Sequence, residues 1–142
     1  MHILFLCSGN YYRSRFAEAV FNFHAARLGL DSRASSRGLA THLVTDFDER
    51  ISPNTVAALA ARGIPQTCTS FRPQQVTNAD LATAHRIIAL KESEHRPMLR
   101  LLYPGWEDRV EYWHIHDVES GTPETQLPRI EEKVLQMLAT LQ

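Results

Sequence analysis

Cysteine is scarce in this chain: only Cys7 and Cys68 occur in 142 residues. Two thiols cannot make a disulfide framework, so a reducing compartment is expected. No apolar run approaches the roughly 18 residues a membrane-spanning helix requires. The opening Met1-His2-Ile3-Leu4-Phe5-Leu6-Cys7 lacks the basic stretch, long apolar core and small-residue cleavage site of a secretory leader. A cytoplasmic location is therefore expected. Charge of one sign is not in excess either, with 15 Lys and Arg against 16 Asp and Glu, a net of −1. That balance argues against nucleic acid or an anionic membrane as partner. Repeats and Gly/Ser- or Pro-rich linkers are absent too, so residues 1–142 are expected to form one domain.

What is present is ordinary for a folded chain: 44% hydrophobic and 22% charged residues. A chain of this length buries about two-thirds of its unfolded surface and needs no metal to hold its core. The charge, however, is uneven. Residues 1–40 carry five arginines (Arg13, Arg15, Arg27, Arg33, Arg37) against Glu18 and Asp31, whereas residues 93–142 carry five bases against nine acids. Ordinary surface scatter accounts for this, and so does an anion site built from the N-terminal segment.

Ile3-Leu4-Phe5-Leu6 is a continuous apolar run, the pattern of a strand buried on both faces. After a turn at Ser8-Gly9-Asn10, Phe16, Val20 and Phe23 recur at helical spacing over about Ser14 to Leu28, and Gly29 ends the helix. Weaker strand character covers Arg33–Ser36, and Thr41 to Arg50 reads as a loop. Ser52-Pro53 is a helix start, with the helix running to Ala61 before Gly63. A short helix from Asn78 to about Ala84 precedes a second buried strand, Arg86 to Leu90. A helix through Met98–Leu102, a last strand from Val110 to Ile115, and a closing helix bearing Ile130, Val134, Met137, Leu138 and Leu141 complete the order. Strands alternating with helices predict an α/β fold with a parallel sheet, whose ligands bind beyond the carboxyl ends of the strands.

At the first such end stands Cys7-Ser8-Gly9-Asn10-Tyr11-Tyr12-Arg13-Ser14, a cysteine followed six places on by an arginine at a helix start. Gly9 and Asn10 tolerate positive φ. A loop of this length can turn successive backbone N–H groups and a helix N-terminus onto one anion. Arg13 would add a planar two-pronged donor. The same surroundings favour the thiolate of Cys7, which could attack phosphorus. Ser14 is placed to donate a hydrogen bond to the sulfur. Two plainer readings stay open: Cys7 as core filling beside a solvated Arg13, and an anion pocket without chemistry.

The loop, its N-terminal position and the βα order resemble the low-molecular-weight protein-tyrosine-phosphatase family. That family's loop usually reads C-x-G-N-x-C-R-S, matched in place by Cys7, Gly9, Asn10, Arg13 and Ser14. The resemblance covers the full chain. It implies one three-layer domain of flavodoxin-like type, a four-stranded parallel sheet with helices on both faces. It also implies phosphomonoester hydrolysis with no metal or cofactor, and a monomer or weak dimer. Phosphate or sulfate would lie on the loop from Ser8 through Tyr11 and Tyr12 to Arg13 and Ser14. Ser36, in Ser36-Arg37-Gly38, is the candidate to hold the Asn10 side chain. Tyr11 is expected to face the substrate, a phosphorylated protein or small aryl phosphate.

The family carries its general acid as Asp-Pro after the last strand, and Asp117-Val118 stands there in this chain. Asp117 is thus the expected acid, with Glu119 as the nearby alternate and turn capping as the plainer role of Asp117. Other departures are Tyr12 for a second loop cysteine, Phe71 for a histidine that supports the loop asparagine, and Lys91 for an acid after the middle strand. Glu119-Ser120-Gly121 replaces an aromatic pair.

His114 and His116 alternate on one strand face but have no third ligand at metal spacing. His42, His85 and His95 follow no pattern. Cys68 is either a resolving thiol or a small loop residue. Trp106 and Trp113, near Tyr103 and Tyr112, are expected to pack the domain's lower half. Three rivals to a phosphatase remain. An arsenate reductase of the thioredoxin-coupled type would need more cysteines than Cys68. A phosphate-recognition protein would have lost turnover through its altered acid loop. A phosphocarrier subunit of a sugar transport system would not require Arg13.

Overall fold

The computed structural model describes residues 1–44, 50–70, 72–118 and 120–142. The expectations placed on Phe71, on Glu119 and on residues 45–49 of the Thr41–Arg50 loop lie outside the described residues.

Strand β1 (His2–Cys7) is followed by α1 (Arg13–Arg27), β2 (Arg33–Gly38), α2 (Pro53–Ala61), α3 (Asn78–Thr83), β3 (Arg86–Ala89), α4 (Glu92–Leu102), β4 (Glu111–Tyr112) and α5 (Pro123–Thr140). The strands form one parallel sheet in the order β2-β1-β3-β4. This is the α/β, four-stranded parallel architecture that the alternation of strands and helices predicts.

The apolar run of β1 is buried on both faces because its alternate residues serve two cores. Ile3, Phe5 and Cys7 pack with Phe16 and Val20 of α1, Leu59 of α2, and Ile130, Val134 and Leu138 of α5. Leu4 and Leu6 pack with Leu81 of α3, Ile87 and Ala89 of β3, and Leu99 of α4. Helices thus cover both sides of the sheet. With β1 and β3 adjacent at its centre, their carboxyl ends at Cys7 and Ala89 open onto the same edge.

Local chemistry fixes several boundaries. Ser52 caps α2 by accepting from the Asn54 N–H at 3.2 Å, and Pro53 fills the first helical position, where no N–H is needed. Thr77 and Asp80 form a reciprocal capping box that starts α3. Four boundaries differ from the sequence expectation. β2 runs two residues further, to Gly38, because Cys7 pairs with Gly38 at the end of the ladder. α4 starts at Glu92 rather than near Met98, with Pro97 accommodated inside it. Glu92 and Glu94 in its first turn complement the helix dipole. β4 is only Glu111–Tyr112, although the Trp113 and Ile115 amides still donate to Ala89 and Leu90 at 2.9 and 2.8 Å. Thr41–Val44 forms a 3₁₀ turn in place of the expected loop.

The two tryptophans do not share one region. Trp113 packs its ring 5.7 Å from Phe5 in one core, whereas Trp106, Tyr103 and Tyr112 lie against the other. No helix among the described residues is long and apolar enough to cross a membrane.

Candidate active site

Cys7 closes β1, and the chain turns through Ser8–Tyr12 before α1 begins at Arg13. The loop borders a cavity of about 610 Å³ that is also lined by Leu43, Val44, Pro53, Asp117 and Val118. Cys7 Sγ lies 2.9 Å from Ser14 Oγ, in a region where both residues are buried. The amides of Gly9, Asn10, Tyr12, Arg13 and Ser14 have no hydrogen-bond acceptor among the described residues. Unpaired N–H groups at a helix start are donors suited to an anion.

Asn10 holds the turn. It is the one described non-glycine residue with positive φ (53°), a conformation that Asn tolerates better than most residues. Its fully buried side chain donates to Ser14 Oγ and Ser36 Oγ, each at 2.9 Å, and accepts from the Gln74 N–H at 2.9 Å. Ser36 in turn donates to Glu18 at 2.8 Å. Burial pushes the Glu18 carboxyl up, against hydrogen bonds from Thr69, Ser36 and Ser70 that favour its charge. Arg15 braces the loop from behind, donating to the Asn10 carbonyl at 3.3 Å, the Arg50 carbonyl at 2.8 Å and Thr69 Oγ1 at 2.7 Å.

Of the two loop residues that tolerate positive φ, Asn10 adopts it and Gly9 does not. A Cβ on Gly9 would lie 3.0 Å from Val44 Cγ1, so the valine side chain would have to give by a few tenths of an ångström. Gly38 is tighter still: a Cβ would meet Thr41 Cγ2 at 2.6 Å, the Ser8 carbonyl at 2.9 Å and the Asn10 nitrogen at 3.0 Å. The loop therefore rests directly on the end of β2.

Arg13 is 2% exposed, with its guanidinium held between α4 and the segment after β4. Nη1 donates to Glu94 Oε2 at 3.1 Å and to the Ile115 carbonyl at 3.0 Å, and Nη2 donates to Glu94 Oε1 at 2.8 Å. Asp117 Oδ2 lies 3.6 Å from Nη2. Asp117 also caps a turn, its Oδ1 accepting from the Val118 N–H at 2.9 Å. It remains 42% exposed at the cavity, so capping does not remove it from solvent.

The Ser8 hydroxyl donates to Glu94 Oε1 and lies 3.2 Å from His95 Nε2. His95 Nδ1 accepts from the Lys91 N–H at 3.0 Å, which leaves the proton of a neutral ring on Nε2. Burial pushes the His95 ring below its ordinary value, with the Arg13 charge adding to the effect and Glu94 opposing it. Burial disfavours the Glu94 anion, but hydrogen bonds from His95, Arg13 and Ser8, with the Arg13 charge, hold it well below the usual carboxylate range.

Tyr11 and Tyr12 both border the cavity. Tyr12 is 5% exposed and belongs to the core around Phe16, with its hydroxyl buried and without a hydrogen-bond partner among the described residues. Burial first, then the Asp117 charge, pushes that phenol up to about 12.

Glu94, His95 and Arg15 carry no motif of their own, and the sequence does not single them out. The available signal for the first two is position: acids opening a helix just after a central strand stand at the carboxyl edge of the sheet. His114 and His116 face each other at 6.1 Å, but no group of three or more potential metal ligands occurs among the described residues. Cys68 packs beside the α1 core and burial pushes its thiol up.

A loop of unpaired amides between β1 and α1, a buried thiol and a braced arginine define a class of α/β proteins whose candidate site follows the first strand. The chain belongs to the family described as low molecular weight phosphotyrosine protein phosphatase, whose pattern matches residues 2–142. A curated relative of that description from Sus scrofa is 34% identical over 101 residues, covering 69% of this chain and 60% of the relative. The matched part thus spans less than two thirds of that relative. Among solved structures, the low molecular weight protein tyrosine phosphatase from T. tengcongensis superposes with a TM-score of 0.80 at 23% identity, covering 99% of each chain. The arginine phosphatase YwlE, solved as a mutant with a phosphorylated active-site serine, gives 0.80 at 22% identity over 99% of this chain and 95% of that one.

Proposed function

We propose that this protein hydrolyses phosphomonoesters, aryl phosphates on proteins or small molecules foremost, through a cysteinyl-phosphate. The observation that carries this reading is the single cavity edge shared by Cys7, Arg13 and Asp117. In the first step Cys7 Sγ attacks phosphorus and the P–O bond to the leaving group breaks. The loop amides and the Arg13 guanidinium take the charge on the phosphoryl oxygens. Asp117, as the acid, gives its proton to the departing oxygen. In the second step water attacks the phosphocysteine, Asp117 takes a proton from that water, and the P–S bond breaks. Ser14, 2.9 Å from Sγ, donates to the sulfur as it leaves with the bonding pair.

Leu43, Val44, Pro53 and Val118 beside Tyr11 give the cavity an apolar wall suited to an aromatic ring. That wall favours aryl phosphate over the phosphoarginine suggested by the name of YwlE. Both cysteines are free, which suits work in a reducing cytoplasm. An arsenate reductase relaying electrons through further thiols is disfavoured because Cys68 is the only other cysteine.

The test is turnover of p-nitrophenyl phosphate, a phosphotyrosine peptide and a phosphoarginine peptide by wild type, Cys7→Ser and Asp117→Asn. Cys7→Ser is expected to be inactive. Asp117→Asn is expected to lose about 10²–10⁴-fold in kcat on the phosphotyrosine peptide. Absence of wild-type turnover at every pH from about 5 to 7 leaves a phosphate-binding protein instead. Asp117→Asn matching wild type removes the acid assignment alone, and a preference for phosphoarginine overturns the aryl assignment.

A further inference from the structure

The guanidinium of Arg13 has five N–H donors in one plane. Three are committed to protein: two Nη1 hydrogens to Glu94 Oε2 and the Ile115 carbonyl, and one Nη2 hydrogen to Glu94 Oε1. Glu94 therefore grips the Nη1–Nη2 end of the group with both oxygens. The two hydrogens left over, on Nε and Nη2, are neighbours on one edge of the plane, and Nε–H has no acceptor among the described residues. Asp117 Oδ2 lies 3.6 Å from Nη2, the atom that carries one of these two hydrogens. A pair of parallel N–H groups at this spacing matches two oxygens of a phosphoryl group.

Glu94 is itself fixed. Its Oε1 accepts from Ser8 Oγ, which belongs to the phosphate loop, and lies 3.5 Å from His95 Nε2. Ser8 Oγ is 3.2 Å from the same ring nitrogen, and the ring is anchored through Nδ1 to the Lys91 N–H. One carboxylate thereby ties the loop, the arginine and the start of α4 into a single arrangement. Glu94 stands about one helical turn beyond Lys91, the residue just before α4.

We infer that Glu94 is the positioning residue for Arg13, turning its Nε–Nη2 edge toward the reacting phosphoryl group. The inference rests on the phosphatase reading for its kinetic consequence, though not for its structural one. An ionised Glu94 also opposes the arginine's charge, so the two possible roles have opposite signs. If Glu94 only neutralised Arg13, its removal would tighten the binding of an anion. As a positioning residue, its removal costs most where geometry matters most, in the trigonal-bipyramidal transition state.

The experiment compares wild type, Glu94→Gln, Glu94→Asp, Arg13→Ala and the Glu94→Gln/Arg13→Ala pair, with thermal melts to establish that each folds. Glu94→Gln is nearly isosteric. It is expected to lower kcat on p-nitrophenyl phosphate about 30–100-fold while KM and inorganic phosphate affinity stay within about 3-fold. Inhibition by vanadate, a five-coordinate mimic, is expected to weaken about 10-fold or more. Glu94→Asp is expected to fall between Glu94→Gln and wild type. In the Arg13→Ala background Glu94→Gln is expected to change kcat less than about 2-fold, because it acts only through the arginine. Nitrogen NMR of the Arg13 side chain supplies a readout without turnover: distinct, slowly exchanging Nη signals in wild type and averaged ones in Glu94→Gln. The inference is overturned if Glu94→Gln retains wild-type kcat, if its loss is the same with and without Arg13, or if the Nη signals do not respond. If wild type shows no turnover, the phosphatase reading fails, and the NMR comparison alone decides the placement of Arg13.

Discussion

Replacing Asn10 with alanine tests how the loop is held. The substitution removes two donated hydrogen bonds, to Ser14 and Ser36, and one accepted from the Gln74 N–H. The hydroxyls can find other partners, so each lost bond costs about 0.5–1.5 kcal/mol, whereas an unpaired peptide N–H costs about 1–3 kcal/mol. Alanine at φ 53° adds about 1–2 kcal/mol of backbone strain. The sum, about 3–8 kcal/mol and centred near 5.5 kcal/mol, is a large share of the roughly 5–15 kcal/mol that holds an ordinary domain together. For a chain of this size the central value corresponds to a fall in Tm of roughly 16–22 °C. Asn10→Gly loses the same bonds but accepts the backbone angle, and is expected to be about 1 kcal/mol less damaging. Urea unfolding of the three proteins, with phosphate titrated into each by calorimetry, measures both stability and the anion site. Two variants within about 1 kcal/mol of wild type, both still binding phosphate, would refute the idea that Asn10 shapes the loop.

Gly38→Ala places a methyl against two backbone atoms of the loop at 2.9 and 3.0 Å. It is expected to destabilise by about 1–3 kcal/mol and to lower kcat/KM for aryl phosphate at least tenfold, as read by melts and steady-state kinetics. His95 gives a pH signature. Its folded-state ring is held below the ordinary 6.5, so its contribution is complete above that pH. As pH falls below 6.5 the unfolded chain takes up a proton that the folded one resists, and stability declines until the folded ring protonates. His95→Gln is therefore expected to be penalised at pH 7.5 and progressively less so toward pH 5. A wild-type–variant difference in urea midpoint that is independent of pH would contradict this.

Features that depend on neighbours along the chain are legible in the sequence itself. The β1 run announces its burial on both faces, and Ser52-Pro53 marks a helix start because a cap and a proline act within one turn. The Cys7–Ser14 loop is legible for the same reason. Features created by contact across the chain are not. Glu94 looks like any acid in a first helical turn until Arg13 is brought against it. The start of α4 is hidden because Pro97 reads as a breaker, although this helix accommodates it five residues in. β4 looks longer than it is because its chain keeps donating to the end of β3 after the ladder stops. At Gly9 the residue type permits an unusual backbone angle that the loop does not use, and the close approach of Val44 is not visible in the sequence.

The partners of Arg13 lie far along the chain, Glu94 by 81 residues and Ile115 by 102. During synthesis the loop's residues therefore appear early and their contacts are completed late. β1, α1 and β2 are all synthesised before either residue that holds the guanidinium. Such distant pairings form slowly because a long loop must close before they gain anything. Docking of α4 and of the segment after β4 is the event that fixes the arginine, so the competence of the site reports on closure of nearly the whole chain rather than on the N-terminal segment that displays the motif.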